Sequence, residues 1–146
     1  MTVLFPCLWH IEGVETFGRY QLLEKLGQGG MAEVFLAQLV QGEVAKQLAI
    51  KRLLPAFSAS QRVVKRLASE ARLAVWLTHP NIVQVFDFGK VAGFYYIAME
   101  YVDGCDLRAM LQPRKGEGRR LPIKVALELG YQVMDALRYA HVCTDS

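Results

Sequence analysis

Cysteine is scarce in this chain, and what there is does not pair. Cys7, Cys105 and Cys143 are far apart, odd in number, and form no C-x-x-C unit. That argues against a disulfide framework and a zinc site, and it makes a reducing cytoplasm the expected location. Long hydrophobic runs are missing too: no stretch approaches the roughly 18–20 apolar residues of a membrane span. The apolar opening Val3-Leu4-Phe5-Pro6-Cys7-Leu8-Trp9 has no basic residue before it and runs into His10 and Glu12, which makes a poor secretory signal. No charge of one sign dominates. A net charge of +3, with no dense basic run interleaved with aromatics, gives no nucleic-acid footprint. What remains is a chain of 146 residues, 53% hydrophobic and 21% charged, with no internal repeat. It is long enough for one domain with a core of its own, and it leans apolar.

The chain is organised around the run Leu22-Leu23-Glu24-Lys25-Leu26-Gly27-Gln28-Gly29-Gly30-Met31-Ala32-Glu33-Val34-Phe35-Leu36. Two strand-like segments, residues 20–26 and 33–40, flank a turn with three glycines in four positions, which is richer in glycine than a hairpin needs. Glycine permits positive φ and close approach of another molecule, and free backbone N–H groups in such a loop can face an anion. A flexible hairpin with no ligand is the competing reading of this stretch alone. Residues 46–54 form a third strand, in which Leu48, Ile50, Arg52 and Leu54 point one way and Gln47, Ala49, Lys51 and Leu53 the other. Pro55 ends it.

Residues 60–77 make the clearest helix, with Ser58 or Ser60 available as a cap. Val63, Leu67, Ala74 and Leu77 form its apolar row, and Glu70 completes that row. A carboxylate inside an apolar stripe is costly unless it meets a cation or reaches solvent at the stripe's edge. The helix stops at Thr78-His79-Pro80. Strands over 81–88 and 94–101 follow, joined by a turn at 89–93. The order β-β-β-α-β-β with short links implies an α+β fold: a five-stranded antiparallel sheet with one long helix across it. A short helix over 106–111 comes next, then a polar loop at 113–120 with four basic residues, read as a solvated connector or a docking patch. The last element is a helix over about 121–141, apolar around much of its girth, which calls for partners on several sides.

In this order the motifs resemble the N-terminal lobe of a protein kinase, most of all the bacterial serine/threonine kinases related to eukaryotic ones. The residues that carry the likeness are Gly27-Gln28-Gly29-Gly30-Met31-Ala32-Glu33-Val34, Leu48-Ala49-Ile50-Lys51, Glu70, His79-Pro80-Asn81-Ile82-Val83 and Ile97-Ala98-Met99-Glu100-Tyr101-Val102-Asp103-Gly104. Ala32 stands where the family's third glycine is usual. The likeness covers residues 17 to about 142. It implies a leader at 1–16, disordered, an ATP-binding lobe at 17–102, and the start of the larger lobe at 103–146.

The resemblance also implies roles. The turn formed by Gly27, Gln28, Gly29, Gly30, Met31 and Ala32 would fold over ATP. Leu26, Val34, Ala49 and Met99 would enclose the adenine, and the backbone of Glu100 and Val102 would bond its edge. Asp106 falls where the family places a ribose contact, and it serves equally well as a helix cap. Lys51 would hold the α- and β-phosphates and pair with Glu70, so that a lysine among apolar neighbours and a glutamate on an apolar stripe account for each other. Cutting that pair would cost on the order of 3–5 kcal/mol if it is fully buried.

Phosphoryl transfer also needs a hydroxyl-orienting base and magnesium ligands, which the family takes from an H-R-D…N loop and a D-F-G segment. Neither follows in this sequence, so no metal ligand is assigned here and Mg2+ is expected only in an intact enzyme, together with a protein substrate. Asp87-Phe88-Gly89 spells D-F-G but comes too early, and it reads as a strand-ending turn. His141 resembles the histidine that precedes the catalytic loop. The chain alone is expected to be inactive, as part of a serine/threonine kinase. A non-catalytic nucleotide-binding scaffold and a small-molecule phosphotransferase of the same fold are the alternatives. The sequence does not address oligomeric state.

Overall fold

Alternating apolar and polar side chains fold here into one antiparallel sheet. The computed structural model describes residues 14–41, 44–111 and 121–144. In chain order these residues form β1 (Glu15–Phe17), β2 (Tyr20–Gln28), β3 (Ala32–Gln41), β4 (Val44–Leu53), α1 (Pro55–Ser58), α2 (Gln61–Val75), β5 (Val85–Val91), β6 (Phe94–Met99), α3 (Leu107–Leu111) and α4 (Ile123–Thr144). The strand order is β1-β2-β3-β4-β6-β5. The α+β class is as expected, but the sheet has six strands among the described residues where the sequence pattern implies five. The extra one is β1, which pairs with β2 through Glu15, Thr16 and Phe17. It takes in the last residues of the expected leader; residues 1–13 lie outside the described residues, as does the basic loop at 113–120.

Two further differences, at the start of β5 and in the β5–β6 turn, have local reasons. Residues 81–84 are not strand, because Pro80 and Asn81 occupy the centre of a turn in which the Ile82 N–H bonds the His79 carbonyl at 3.0 Å. The β5–β6 turn is only Ala92-Gly93, both at positive φ (48° and 89°), a tight hairpin whose twist suits the flanking strands. Gly89 stays within β5. A Cβ there would sit 3.0 Å from the Tyr96 ring, so the residue is small because the ring lies against it.

The sheet has a core on each face. On one face Phe17, Tyr20, Leu22, Ala37, Leu48, Ile50, Tyr96 and Ala98 pack together. On the other, Leu53, Val85 and Ile97 meet Leu67 and Ala71 of α2, with Val63, Val64 and Ala74 alongside. The opposed directions of Leu48 and Ile50 against Leu53 along β4 follow from strand alternation. Helix α4 reaches the rest through the α2–β5 loop. His79 accepts the Asn81 N–H at Nδ1 (3.1 Å), which leaves Nε2 to donate to Asp135 Oδ2 (3.1 Å). The Tyr139 hydroxyl accepts the Thr78 N–H at 3.2 Å. No helix among the described residues is long and apolar enough to cross a membrane.

Asp87, the aspartate of the early D-F-G, serves the first core. Its Oδ2 accepts the hydroxyls of Tyr96 (2.8 Å) and Tyr20 (2.9 Å) and the Arg19 guanidinium (2.8 Å), tying β2 to β5 and β6. Burial works against its charge, but the Tyr96 and Tyr20 hydrogen bonds and Arg19 outweigh it and hold the carboxyl below its ordinary 3.8. This stabilisation is therefore complete above the ordinary value and is lost as pH falls through the folded one. Asp87→Asn should cost about 2 kcal/mol near neutral pH. In thermal melts, the gap between wild type and variant should hold above about pH 5 and narrow steadily as the pH is taken below about 4. A gap unchanged by acid would show that the Asp87 charge is not what the tyrosines hold.

Helix α4 leaves much of its apolar surface open, with Ile123 80%, Leu127 69% and Met134 66% exposed. A patch of that kind binds other surfaces. The purified chain should enhance the fluorescence of an apolar dye, and a Leu127→Glu/Met134→Glu double variant should lower that signal with little change in melting temperature. An unchanged signal would assign the dye-binding surface elsewhere.

Candidate functional site

Lys51 sits near the end of β4, opposite Val34 on β3 and Ile97 on β6. Strand alternation gives it the face that receives α2. Leu67 and Ala71, both buried, seat the helix there and set its roll. That roll brings Glu70 over β4, where its Oε1 lies 2.6 Å from Lys51 Nζ. The pair is not fully buried: the Lys51 side chain is 29% exposed and Glu70 55%. Glu70 thus stands at the edge of the apolar stripe and meets both a cation and solvent. The 3–5 kcal/mol expected of a buried pair does not apply. Water screens this one into the range of about 1 kcal/mol or less.

Above the pair lies the glycine turn. β2 ends at Gln28, the Gly29 N–H bonds the Ala32 carbonyl at 2.8 Å, and β3 leaves from Ala32. The Met31 carbonyl accepts the Leu54 N–H at 3.0 Å, which moors the turn to the end of β4. Among the described residues only Gly18, Ala92 and Gly93 have positive φ, so the turn's glycines do not owe their place to backbone conformation. Space is what they provide. A Cβ at Gly27 or Gly30 would meet nothing within 4 Å, and one at Gly29 only the Ala32 carbonyl at 3.7 Å. The turn has open room around it and little packed on it. Beneath it, Met31, Ala32, Lys51, Leu53, Arg66 and Glu70 help to line a cavity of about 50 Å³.

Register brings several of the expected residues together. Gly27 faces Val34 and Val34 faces Lys51, while Ala49, buried, faces Met99. One cross-strand row thus runs from the glycine turn to the lysine, with the apolar Ala49–Met99 pair beside it. Leu26 and Met31 are exposed. Gln28 turns elsewhere: it pairs with Glu33, and its side chain accepts a hydrogen bond from Lys25 Nζ at 2.6 Å. The Glu100 N–H is committed to the Gln84 carbonyl at 2.8 Å, so what that residue can offer a ligand from its backbone is its carbonyl. Val102 is exposed. Asp106 caps α3, its Oδ1 accepting the Ala109 N–H at 2.6 Å.

These elements, in this order, can be compared with known proteins. The family model described as "Protein kinase domain" matches residues 20–144. The chain belongs to the protein kinase family. Tyrosine-protein kinase MasK of Myxococcus xanthus is 38% identical over 133 residues, covering 90% of this chain and 21% of that protein. Serine/threonine-protein kinase PrkC of Bacillus subtilis is 37% identical over 129 residues, 88% of this chain and 19% of PrkC. Among solved structures, the Mycobacterium tuberculosis PknI kinase domain superposes with a TM-score of 0.69 at 34% identity, covering 87% of this chain and 50% of that one. The chain thus spans about a fifth of the curated kinases it matches and about half of the solved kinase domain.

One cluster in this kinase lobe receives no role from the sequence pattern. Arg52, next to Lys51 but on the opposite face, donates from Nε and Nη2 to Glu33 Oε1 (3.0 and 2.9 Å) and from Nη1 to Glu15 Oε1 (2.6 Å). Its guanidinium lies over the rings of Phe35, Phe94 and Phe17. Lys25 reaches the other Glu33 oxygen at 3.1 Å. Burial opposes the Glu33 charge, yet Lys25 and Arg52 hold its carboxyl below the usual value. A cation between Ile50 and Leu54 on an apolar face is the same signal that marks Lys51, and it points to Arg52 though not to its partners on β1 and β3.

The exposure of the Lys51–Glu70 pair has a measurable consequence. Glu70→Gln should lower unfolding free energy by no more than about 1 kcal/mol in denaturant titrations. A loss of about 3 kcal/mol or more would mean that the pair is dry and buried in solution.

Proposed function

We propose that this chain is the nucleotide-binding lobe of a protein kinase that transfers the ATP γ-phosphate to protein serine or threonine hydroxyls. The observation that carries the reading is the row of Gly27, Val34 and Lys51, with Glu70 holding the lysine 2.6 Å away under an uncrowded turn. The chemistry of these residues suits ATP. The turn of Gly27, Gln28, Gly29, Gly30, Met31 and Ala32 borders open space for phosphate oxygens, with the Gly29 N–H committed to the Ala32 carbonyl and so not among the donors. Lys51 supplies a cation to the α- and β-phosphates, and Glu70 keeps it aimed. Leu26, Val34, Ala49 and Met99 form apolar cover for the adenine. The Glu100 carbonyl and Val102 N–H bond its edge, and Asp106 lies toward the ribose. Bound ATP supplies the phosphoryl group, and this lobe's part is to bind and orient it. Family membership supports the assignment, as do relatives named as serine/threonine-protein kinases, PrkC among them. MasK, named a tyrosine-protein kinase, makes the acceptor hydroxyl the part to be tested.

Among the described residues no three His, Cys, Asp or Glu side chains gather as a metal site, and the oxygen ligands that magnesium requires are not assembled there. Transfer needs groups beyond those of this lobe, and the chain alone is a binder of ATP without turnover.

The test is a thermal and kinetic assay on the 146-residue chain. At a hundredfold excess over its dissociation constant, ATP should add about 2.7 kcal/mol to the unfolding free energy, and Lys51→Met should remove most of that gain. Phosphate transfer to a mixed protein substrate should not exceed that of Lys51→Met. Absence of any stabilisation at millimolar ATP would overturn the binding reading. Turnover above the control would overturn the claim that the lobe alone is inactive.

A further inference from the structure

The glycine turn has little of its own to hold it in place. One short hydrogen bond, Gly29 N–H to the Ala32 carbonyl, closes it, and one more, Leu54 N–H to the Met31 carbonyl, moors its outgoing end, while the strand leading in is irregular, with register shifts between Leu22 and Glu24 and again between Lys25 and Gly27. A bulge at the end of that arm interrupts its ladder and bends it. A turn that presents backbone donors at a fixed height above Lys51 needs its base braced.

The brace is on the far face. Glu33, the second residue of β3, lies opposite Gln28 of β2 and Arg52 of β4 in the cross-strand register. Its carboxylate takes Lys25 from the incoming arm on one oxygen (3.1 Å) and two guanidinium N–H groups of Arg52 on the other (2.9 and 3.0 Å). Lys25 also holds the Gln28 side chain at 2.6 Å, which carries the contact across the bulge to the last residue before the turn. The side chains of Glu33 and Arg52 are each only 12% exposed, so water competes with them far less than with the Lys51–Glu70 pair. Arg52 follows Lys51 directly in β4, so both arms of the hairpin are tied to the backbone that carries Lys51.

We propose that Glu33 and Arg52 are positioning residues that fix the height of the glycine turn over Lys51 and so set the affinity for the triphosphate rather than for the nucleoside. The inference rests on the reading that the turn and Lys51 receive ATP. Two features favour positioning over simple stability. The cluster joins the incoming arm, the outgoing arm and the lysine's strand at the mouth of the turn. Its ring contacts are Phe17, Phe35 and Phe94, on the face opposite Lys51 and away from the Ala49–Met99 pair.

Titration calorimetry on the full chain tests this with two ligands, ATP and adenosine, and four proteins: wild type, Glu33→Gln, Arg52→Lys and Lys51→Met. Glu33→Gln keeps the shape and removes the charge, and it should weaken ATP about five- to tenfold, roughly the worth of one charge-assisted contact, while adenosine stays within about twofold. Arg52→Lys keeps the charge but loses the two-pronged geometry, and it should shift ATP in the same direction by less. It also serves as the deciding variant if Glu33→Gln melts below the assay temperature. Equal weakening of both ligands would reduce the cluster to a structural role, and unchanged ATP affinity in both variants would overturn the proposal. Should Lys51→Met lose ATP while Glu33→Gln keeps it, the positioning claim alone fails. Should wild type bind ATP no better than adenosine, with no response to Lys51→Met, the nucleotide reading itself fails.

Discussion

Along β4, consecutive side chains alternate between the two faces of the sheet, and at its end that alternation separates two cations. Lys51 turns toward α2 and meets Glu70, while Arg52 turns away and meets Glu33 and Glu15. Each pair does something different because each lies in a different amount of water. Arg52 and Glu33 are nearly closed off, so their attraction is weakly screened and the geometry is fixed by a guanidinium fork. Lys51 and Glu70 remain partly wetted, which keeps the lysine's charge available to a third, anionic group. A nucleotide settling over the pair would displace that water and strengthen every electrostatic contact beneath it.

The two cores follow from the same alternation. Leu48 and Ile50 feed the face that β1 and β2 close over, while Leu53 feeds the face that α2 covers. The row of Gly27, Val34 and Lys51 is thus the outer margin of a packed surface, close to side chains that cannot move without disturbing the core. Gly27 and Gly30 in the turn, by contrast, face open space. In the proposed reading, a lysine on a packed strand, a sparsely tethered turn and a charged brace between them would divide the labour of admitting and then holding a triphosphate. On the other side, α4 is fastened through His79, Asp135 and Tyr139 to the loop after α2 while much of its own apolar surface stays open.

Much of this is legible from residue pattern, and the misses have physical causes. Lys51 and Glu70 stand out because each is a charge in an apolar row. How wet the pair is cannot be read there, since that depends on the roll of α2 over the sheet, set by the packing of Leu67 and Ala71. Strand β1 is three residues long, too short to show a period. Its presence depends on pairing with β2 and on Arg52 reaching Glu15, both of them tertiary facts. The displaced start of β5 is written in Pro80-Asn81, where turn chemistry overrides the apolar run Ile82-Val83. Three glycines in a turn suggest both backbone freedom and room for a ligand, and the structure leaves them only the second reason. Arg52 carries the same mark as Lys51, a cation on an apolar face, but its acidic partners lie on β1 and β3 at distances in sequence that no local pattern spans.

The central claim is that Lys51 is the lysine that a bound triphosphate touches. Mass-spectrometric mapping of the site modified by an adenosine analogue carrying an electrophile in place of its phosphates addresses that directly. The account predicts one dominant adduct, on Lys51, suppressed by excess ATP and not by inorganic phosphate. Labelling spread over Lys25, Lys46 and Lys90, or an adduct on Lys51 that ATP does not protect, would contradict it.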